Sequence, residues 1–310
     1  MIYRVIKKSL LLGALLLLSV SFAETSSSSV LSLSSSQSNS EQSTAALSSE
    51  QVSVSSSSAV ALSSASSSSV SLPKWMTLPE VKAPWMKGER LEFELCWGFI
   101  TAGYASLEVK PRKDGKTEFL TFATANKTVN KFYPVHDTVY TLVRNKGLMT
   151  EVFRKSLHEG SFHNKSLIRF DRNNQKAVLS DTVFNDVRQR KVRRSADTSV
   201  TITGLEHSIM SAFYLVRTIP LTVGNTTRFS AVSGTKRYEL KVIIHGRETI
   251  ETDLGKFNTV KVEPVLDGDG IFNSSGRIFI WMTDDDKRIP VLMECEIKLG
   301  SIKAKLVKKP

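Results

Sequence analysis

The sequence predicts a mainly β protein: a strongly curved antiparallel sheet or open barrel of about a dozen strands, with one amphipathic helix. Three observations predict it. From Gly88 onward, short runs of alternating apolar and polar residues are separated by turn-forming residues, the pattern of a sandwich or barrel. Most separators are short, so successive strands pair as hairpins and the sheet is antiparallel. One segment near residues 205–216 instead keeps apolar residues three and four apart, the spacing of one helix face.

The stretch from Gly88 to Val109 sets the pattern. Leu91, Phe93, Leu95 and Trp97 alternate with Glu92, Glu94 and Cys96, so one face is apolar and the other polar. Gly98 and Gly103 bracket Phe99 to Ala102, after which Ala105, Leu107 and Val109 alternate with Ser106, Glu108 and Lys110. This reads as strand, glycine-punctuated bend, strand. An ordinary hairpin fits, and so does a kinked strand at the mouth of a barrel.

Further strands follow in order. Asp114-Gly115 is a turn before Glu118 to Ala125. Thr138 to Arg144 and Leu148 to Lys155 flank Asn145-Lys146-Gly147, a hairpin connection. Ser166 to Asp171 and Lys176 to Asp181 flank Arg172-Asn173-Asn174, and Val183 to Val192 reads as another strand. Leu205, Ile209, Ala212, Phe213 and Val216 form the helix face; Thr203 and Glu206 fit a capping box, and Pro220 lies past the end. Lys236 to His245 and Arg247 to Thr252 meet at Gly246, and Phe257 to Leu266 follows. Arg277 to Met282 and Ile289 to Leu299 flank an acidic turn, and Ser301 to Val307 is the last strand.

Upstream of this domain the chain changes character. Residues 1–23 read as a cleavable signal peptide: Arg4, Lys7 and Lys8 are basic, Ser9 to Phe22 is apolar, and Ser21-Phe22-Ala23 suits cleavage after Ala23. Residues 24–73 are dominated by serine and bury too little apolar surface to order, so a disordered linker is expected. Pro73 to Lys87, with Trp75 and Trp85, reads as an arm lying on a single β-rich domain over residues 74–310. The expected location is the periplasm or outside the cell.

The formal net charge is +12. Its excess concentrates in Arg188, Arg190, Lys191, Arg193 and Arg194, and in Lys303, Lys305, Lys308 and Lys309. An exported chain meets anionic lipid or wall polymer rather than nucleic acid, so the expected partners are a lipid, an anionic envelope polymer or a membrane surface. A solvated basic face that serves solubility is the plainer alternative.

No catalytic chemistry is expected, and no metal or other cofactor. The five histidines lack ligand spacing, and Asp267-Gly268-Asp269-Gly270 and Asp284-Asp285-Asp286 read as turns. His136 and Asp137 are adjacent, so on a strand they point to opposite faces. Cys96 falls on a polar face and Cys295 on an apolar one; a disulfide and two free thiols both stand as readings.

The opening stretch, with Phe132-Tyr133-Pro134-Val135-His136-Asp137, Ser211-Ala212-Phe213-Tyr214 and Arg217, Gly246-Arg247-Glu248-Thr249, Gly255-Lys256-Phe257, Ile280-Trp281-Met282-Thr283-Asp284-Asp285 and Arg288-Ile289-Pro290-Val291, resembles the bacterial exported family of domain of unknown function 3108. The resemblance implies an exported, mainly β domain and carries over no catalytic residue. A curved sheet with an apolar face and a helix over it is expected to act as a binding module for a hydrophobic or anionic ligand. Trp97, Phe99, Tyr104, Phe132, Tyr133, His136 and Trp281 are the pocket or rim candidates. The alternative is a solidly packed envelope-interaction protein working through its basic surface.

Overall fold

Alternation in the sequence becomes one continuous antiparallel sheet. The computed structural model describes residues 73–186, 191–267, 276–296 and 300–310; the expected signal peptide, the serine-rich linker, Arg188, Arg190 and the turn after Asp267 lie outside them. The strands are β1 (Glu89–Trp97), β2 (Ile100–Pro111), β3 (Lys116–Ala125), β4 (His136–Arg144), β5 (Met149–Glu159), β6 (Phe162–Asp171) and β7 (Lys176–Asp186). Then come β8 (Lys191–Thr201), β9 (Thr226–Ser233), β10 (Lys236–Thr252), β11 (Gly255–Asp267), β12 (Ile278–Thr283), β13 (Pro290–Glu296) and β14 (Ser301–Lys308). Two helices interrupt them, α1 (Lys127–Asn130) and α2 (Ile209–Val216).

The fourteen strands lie in the order β8-β7-β6-β5-β4-β3-β2-β1-β14-β13-β12-β11-β10-β9, so the terminal strands β1 and β14 pair in the middle. The barrel is nearly closed. At the seam, the segment after β8 runs parallel to β9: the His207 amide donates to the Ser230 carbonyl, and the Val232 amide donates to that of His207.

Inward residues of both halves of the sheet form one apolar core that α2 helps to fill. On α2, Tyr214 stacks on Phe119 with ring centroids 3.9 Å apart and tilts against Trp85 at 5.0 Å. Trp85 comes from the arm before β1 and is buried. Arg217, just past α2, is fully buried and pairs with Glu89 through two hydrogen bonds of 2.7 and 2.9 Å. It also donates to the carbonyls of Arg288 and Lys287. This side-chain bolt ties α2 to the first strand and to the turn between β12 and β13.

Several expectations are corrected. Helix α2 begins at Ile209, with Ser208 as its N-cap accepting from the Ser211 amide. Thr203 and Glu206 do not cap it. The Glu206 carboxylate instead gathers the Thr203 amide and hydroxyl and the Gly204 amide within the preceding loop. Gly246 is not a turn between two strands: β10 runs straight through it, and the register with β11 shifts between Ile244 and Gly246. Strands β8 and β9 extend beyond or outside the runs read from the sequence. The bend after β1 is both hairpin and kink, because the β1–β2 register shifts between Leu95 and Cys96. Cys96 and Cys295 are both buried and free, and only Cys295 joins the apolar core. Burial pushes the Cys295 thiol up to about 12.

Candidate functional site

Antiparallel order decides what meets what. Alternate strand ends of a meander share an end, so the C-terminal ends of β1, β3, β5, β7, β9, β11 and β13 lie at one end of the barrel, here named the rim. The Arg217–Glu89 pair and the β12–β13 turn lie at the other.

At the rim, Gly98 adopts a left-handed φ of +57°, which lets β1 reverse into β2 within two residues. The reversal turns Phe99 and Ile100 outward, 108% and 60% exposed. The neighbouring turn carries α1. Asn126 caps α1 by accepting from the Val129 amide, donates its side-chain amide to the Thr101 carbonyl, and donates its backbone amide to that of Ala102 at 2.9 Å. Thus α1 is tied to the root of the β1–β2 hairpin. Phe132 follows at 72% exposure, with Lys127 and Lys131 exposed beside it.

The next residue turns in. Tyr133 is buried against Gly160, where a Cβ would stand 2.5 Å from its ring. The Gly160 amide donates to the Pro134 carbonyl at 2.7 Å, and Val135 bridges Glu159. The loop carrying Phe132 is therefore fastened on both sides, and Phe132 is presented rather than loosely swung.

The other expected candidates distribute as follows. Trp97 is half-buried at the end of β1, 3.8 Å from the position of a Cβ on Gly300. Tyr104 is 49% exposed on the outer wall, in register with Glu94 and Thr124. His136 is exposed and lies 3.3 Å from the Thr124 hydroxyl through Nδ1. Trp281 is corrected: it is buried in the middle of β12, not at the rim, and its Nε1 donates to Glu248 at 2.6 Å. Lys261 sits over its ring and that of Phe279. Tyr133 is likewise a wedge beneath the rim, not an exposed contact.

The basic cluster reaches the rim as well. Lys191 and Arg193 are exposed at the start of β8, and Arg194 pairs with Asp181 at 3.3 Å. Lys236 and Arg237, which sequence reading did not single out, are exposed at the start of β10, with Arg237 also reaching Glu206 at 3.4 Å. Beneath the rim, Leu95, Ala102, Gly103, Val129, Val135 and Ile302 line an apolar dimple of about 20 Å³, roughly one water's worth of space.

Sequence reading also missed a polar pair inside the barrel. Asp137 and Glu159 are buried beside each other, with Lys155 nearby. Asp137 Oδ1 accepts from the His158 amide at 2.9 Å, while Oδ2 and both Glu159 oxygens find no donor among the described protein groups. A proton shared by the two carboxyls satisfies the contact. Burial first, and the Asp137 charge second, push Glu159 up to about 10; burial pushes Asp137 up to about 6. Their visible role is to join β4 to β5 below the Phe132 loop.

Fold and rim together define the chain as a β-barrel domain that exposes Phe99, Ile100 and Phe132 beside lysines at one end. Its sequence matches the family described as protein of unknown function DUF3108 over residues 92–307, and the chain belongs to that family. No curated protein matches it. Among solved structures, it is similar to a β-barrel-like protein of the DUF1849 domain from Brucella abortus, at 12% identity and a TM-score of 0.46, over 72% of this chain and 96% of that one. It is also similar to a Bacteroides fragilis protein with a YmcC-like fold, at 12% identity and a TM-score of 0.32, over 72% and 95% of the two chains.

Proposed function

We propose that this protein is an exported, non-enzymatic binding module of the cell envelope that takes a lipid-like ligand, apolar in its body and anionic in its head, at the rim. One observation carries the reading: Phe99, Ile100 and Phe132 stand exposed at the same end of the barrel as Lys127, Lys131, Lys191 and Arg193. Exposed apolar groups gathered at one place and edged with charge mark interaction sites. Covering each such side chain is worth about 1.5–3 kcal/mol. Export is supported by the basic, apolar and small-residue succession of residues 1–23.

Native mass spectrometry of the purified protein, followed by lipid extraction, tests this. The expected result is bound anionic lipid that the Phe99→Ser/Phe132→Ser double variant no longer holds. These side chains are exposed and support little of the core, so the variant should fold. Equal lipid capture by both proteins would remove the rim from the account.

A further inference from the structure

We infer that the rim docks on the surface of an anionic bilayer, with Phe99, Ile100 and Phe132 entering the headgroup boundary and the rim cations resting on the headgroups. The inference builds on the rim as a lipid-like binding site and names the partner as an assembled membrane surface.

Shape separates a bilayer from a single lipid. An acyl chain wholly enclosed by protein needs an apolar cavity, and the dimple beneath the rim holds only about 20 Å³, so a lipid held at the rim keeps its chains outside the dimple. The apolar groups are instead at the outermost positions of two neighbouring turns, where Phe99 and Phe132 project away from the barrel. Side chains so placed are covered only when an apolar phase comes to them. A bilayer boundary is such a phase, and aromatic side chains flanked by lysines suit it.

Charge gives the sign of that surface. Lys127 and Lys131 flank the Phe132 turn, and Lys191, Arg193 and Lys236 are exposed where other rim turns begin or end. Among the described rim acids, Glu159 is buried, Glu94 accepts from Thr101, the exposed Glu239 pairs with Arg228 at 3.3 Å, Asp186 stands in register with Lys191, Asp267 ends β11, and Glu296 is exposed at the end of β13. Cations therefore prevail among the exposed groups, and they match anionic headgroups within a Debye length of the surface. A wall polymer offers the negative charge without the apolar phase, so it leaves Phe99, Ile100 and Phe132 in water.

Preorganisation completes the argument. Asn126 ties α1 to the β1–β2 hairpin, and Tyr133 with Gly160 fixes the far side of the Phe132 loop. Docking then orders little new backbone, which spares the entropy that flexible loops lose on binding.

The test is flotation of the full protein with vesicles of phosphatidylcholine alone and of phosphatidylcholine mixed with phosphatidylglycerol. The protein should float with the mixed vesicles and much less with the neutral ones, and added salt should weaken it. Phe132→Ser and Phe99→Ser should each weaken partitioning about tenfold, while Phe132→Trp keeps it. Lys127→Glu/Lys131→Glu should weaken binding to the mixed vesicles specifically. Equal flotation of wild type and Phe99→Ser/Phe132→Ser overturns the inference. So does a soluble anionic polymer that binds both proteins alike and displaces them from vesicles. A protein that holds monomeric lipid in the mass spectrometer yet floats with neither vesicle ends the bilayer inference and leaves the binding module standing. Failure of both assays ends both.

Discussion

Glu159 is the residue whose chemistry departs most from what its neighbours in sequence suggest. It lies on the inward face of β5 with Phe153, Leu157 and Lys155, beside Asp137 on β4, and burial together with the Asp137 charge favours its protonated form, so that the two carboxyls can share a proton. Both carboxyl values are raised in the folded protein, so the stabilisation from holding protons is full below the unfolded values. It is lost as pH rises above the ordinary carboxylate range through the raised values of the pair. Glu159→Gln keeps a donor to Asp137 without needing a proton. Urea unfolding should find it more stable than wild type at pH 8, by about 1–3 kcal/mol, and close to wild type below pH ~4. A variant less stable than wild type at both values would contradict the shared proton. Part of this was legible: Lys155 and Glu159 fall in apolar register, the sign of charge facing a core. That Glu159 meets Asp137 depends on the register of β4 with β5, which no single strand encodes. Phe99 and Phe132 were legible because each stands beside turn-forming residues, whereas Trp281 was misread because an aromatic in mid-strand packs on either face.

Strand β2 shows how one position shapes an element. Gly103 faces β3 so closely that a Cβ there would collide with the Thr124 carbonyl oxygen. The approach sits beside the β1–β2 register shift and helps bend the hairpin toward α1. Gly103→Ala should force β2 from β3 and cost about 1–3 kcal/mol, read as a lower urea midpoint at unchanged slope. An unchanged midpoint would show that the backbone yields there without cost. Most strands were legible from period-two alternation, since one face is buried. Strand β8 was not, because nearly all its residues are exposed and no apolar face repeats. Strand β10 was split in two because Gly246 resembles a turn, although it marks only a shift in pairing. The Thr203–Glu206 pair was real chemistry assigned to the wrong structure: its hydrogen bonds close a loop rather than start a helix.

For the whole molecule, topology converts scattered residues into a surface. Phe99, Phe132, Lys191 and Lys236 are far apart in sequence and share a rim because every second turn of an antiparallel meander lies at the same end. Phe99, Phe132 and Lys191 were singled out separately in the sequence and Lys236 was not; pairing of β1 with β14, and the unbroken order on either side, brings them to one end. The opposite end carries the buried Arg217–Glu89 bolt and the turns around Gly115, Asn174 and Leu254. Hydrogen–deuterium exchange of the full protein with and without phosphatidylglycerol-containing vesicles compares the two ends directly. The account predicts new protection at residues 98–101 and 127–133 and none at residues 112–115, 172–175 and 252–255. Protection confined to the opposite end, or unchanged exchange at residues 98–101 and 127–133 while the protein is vesicle-bound, would contradict it.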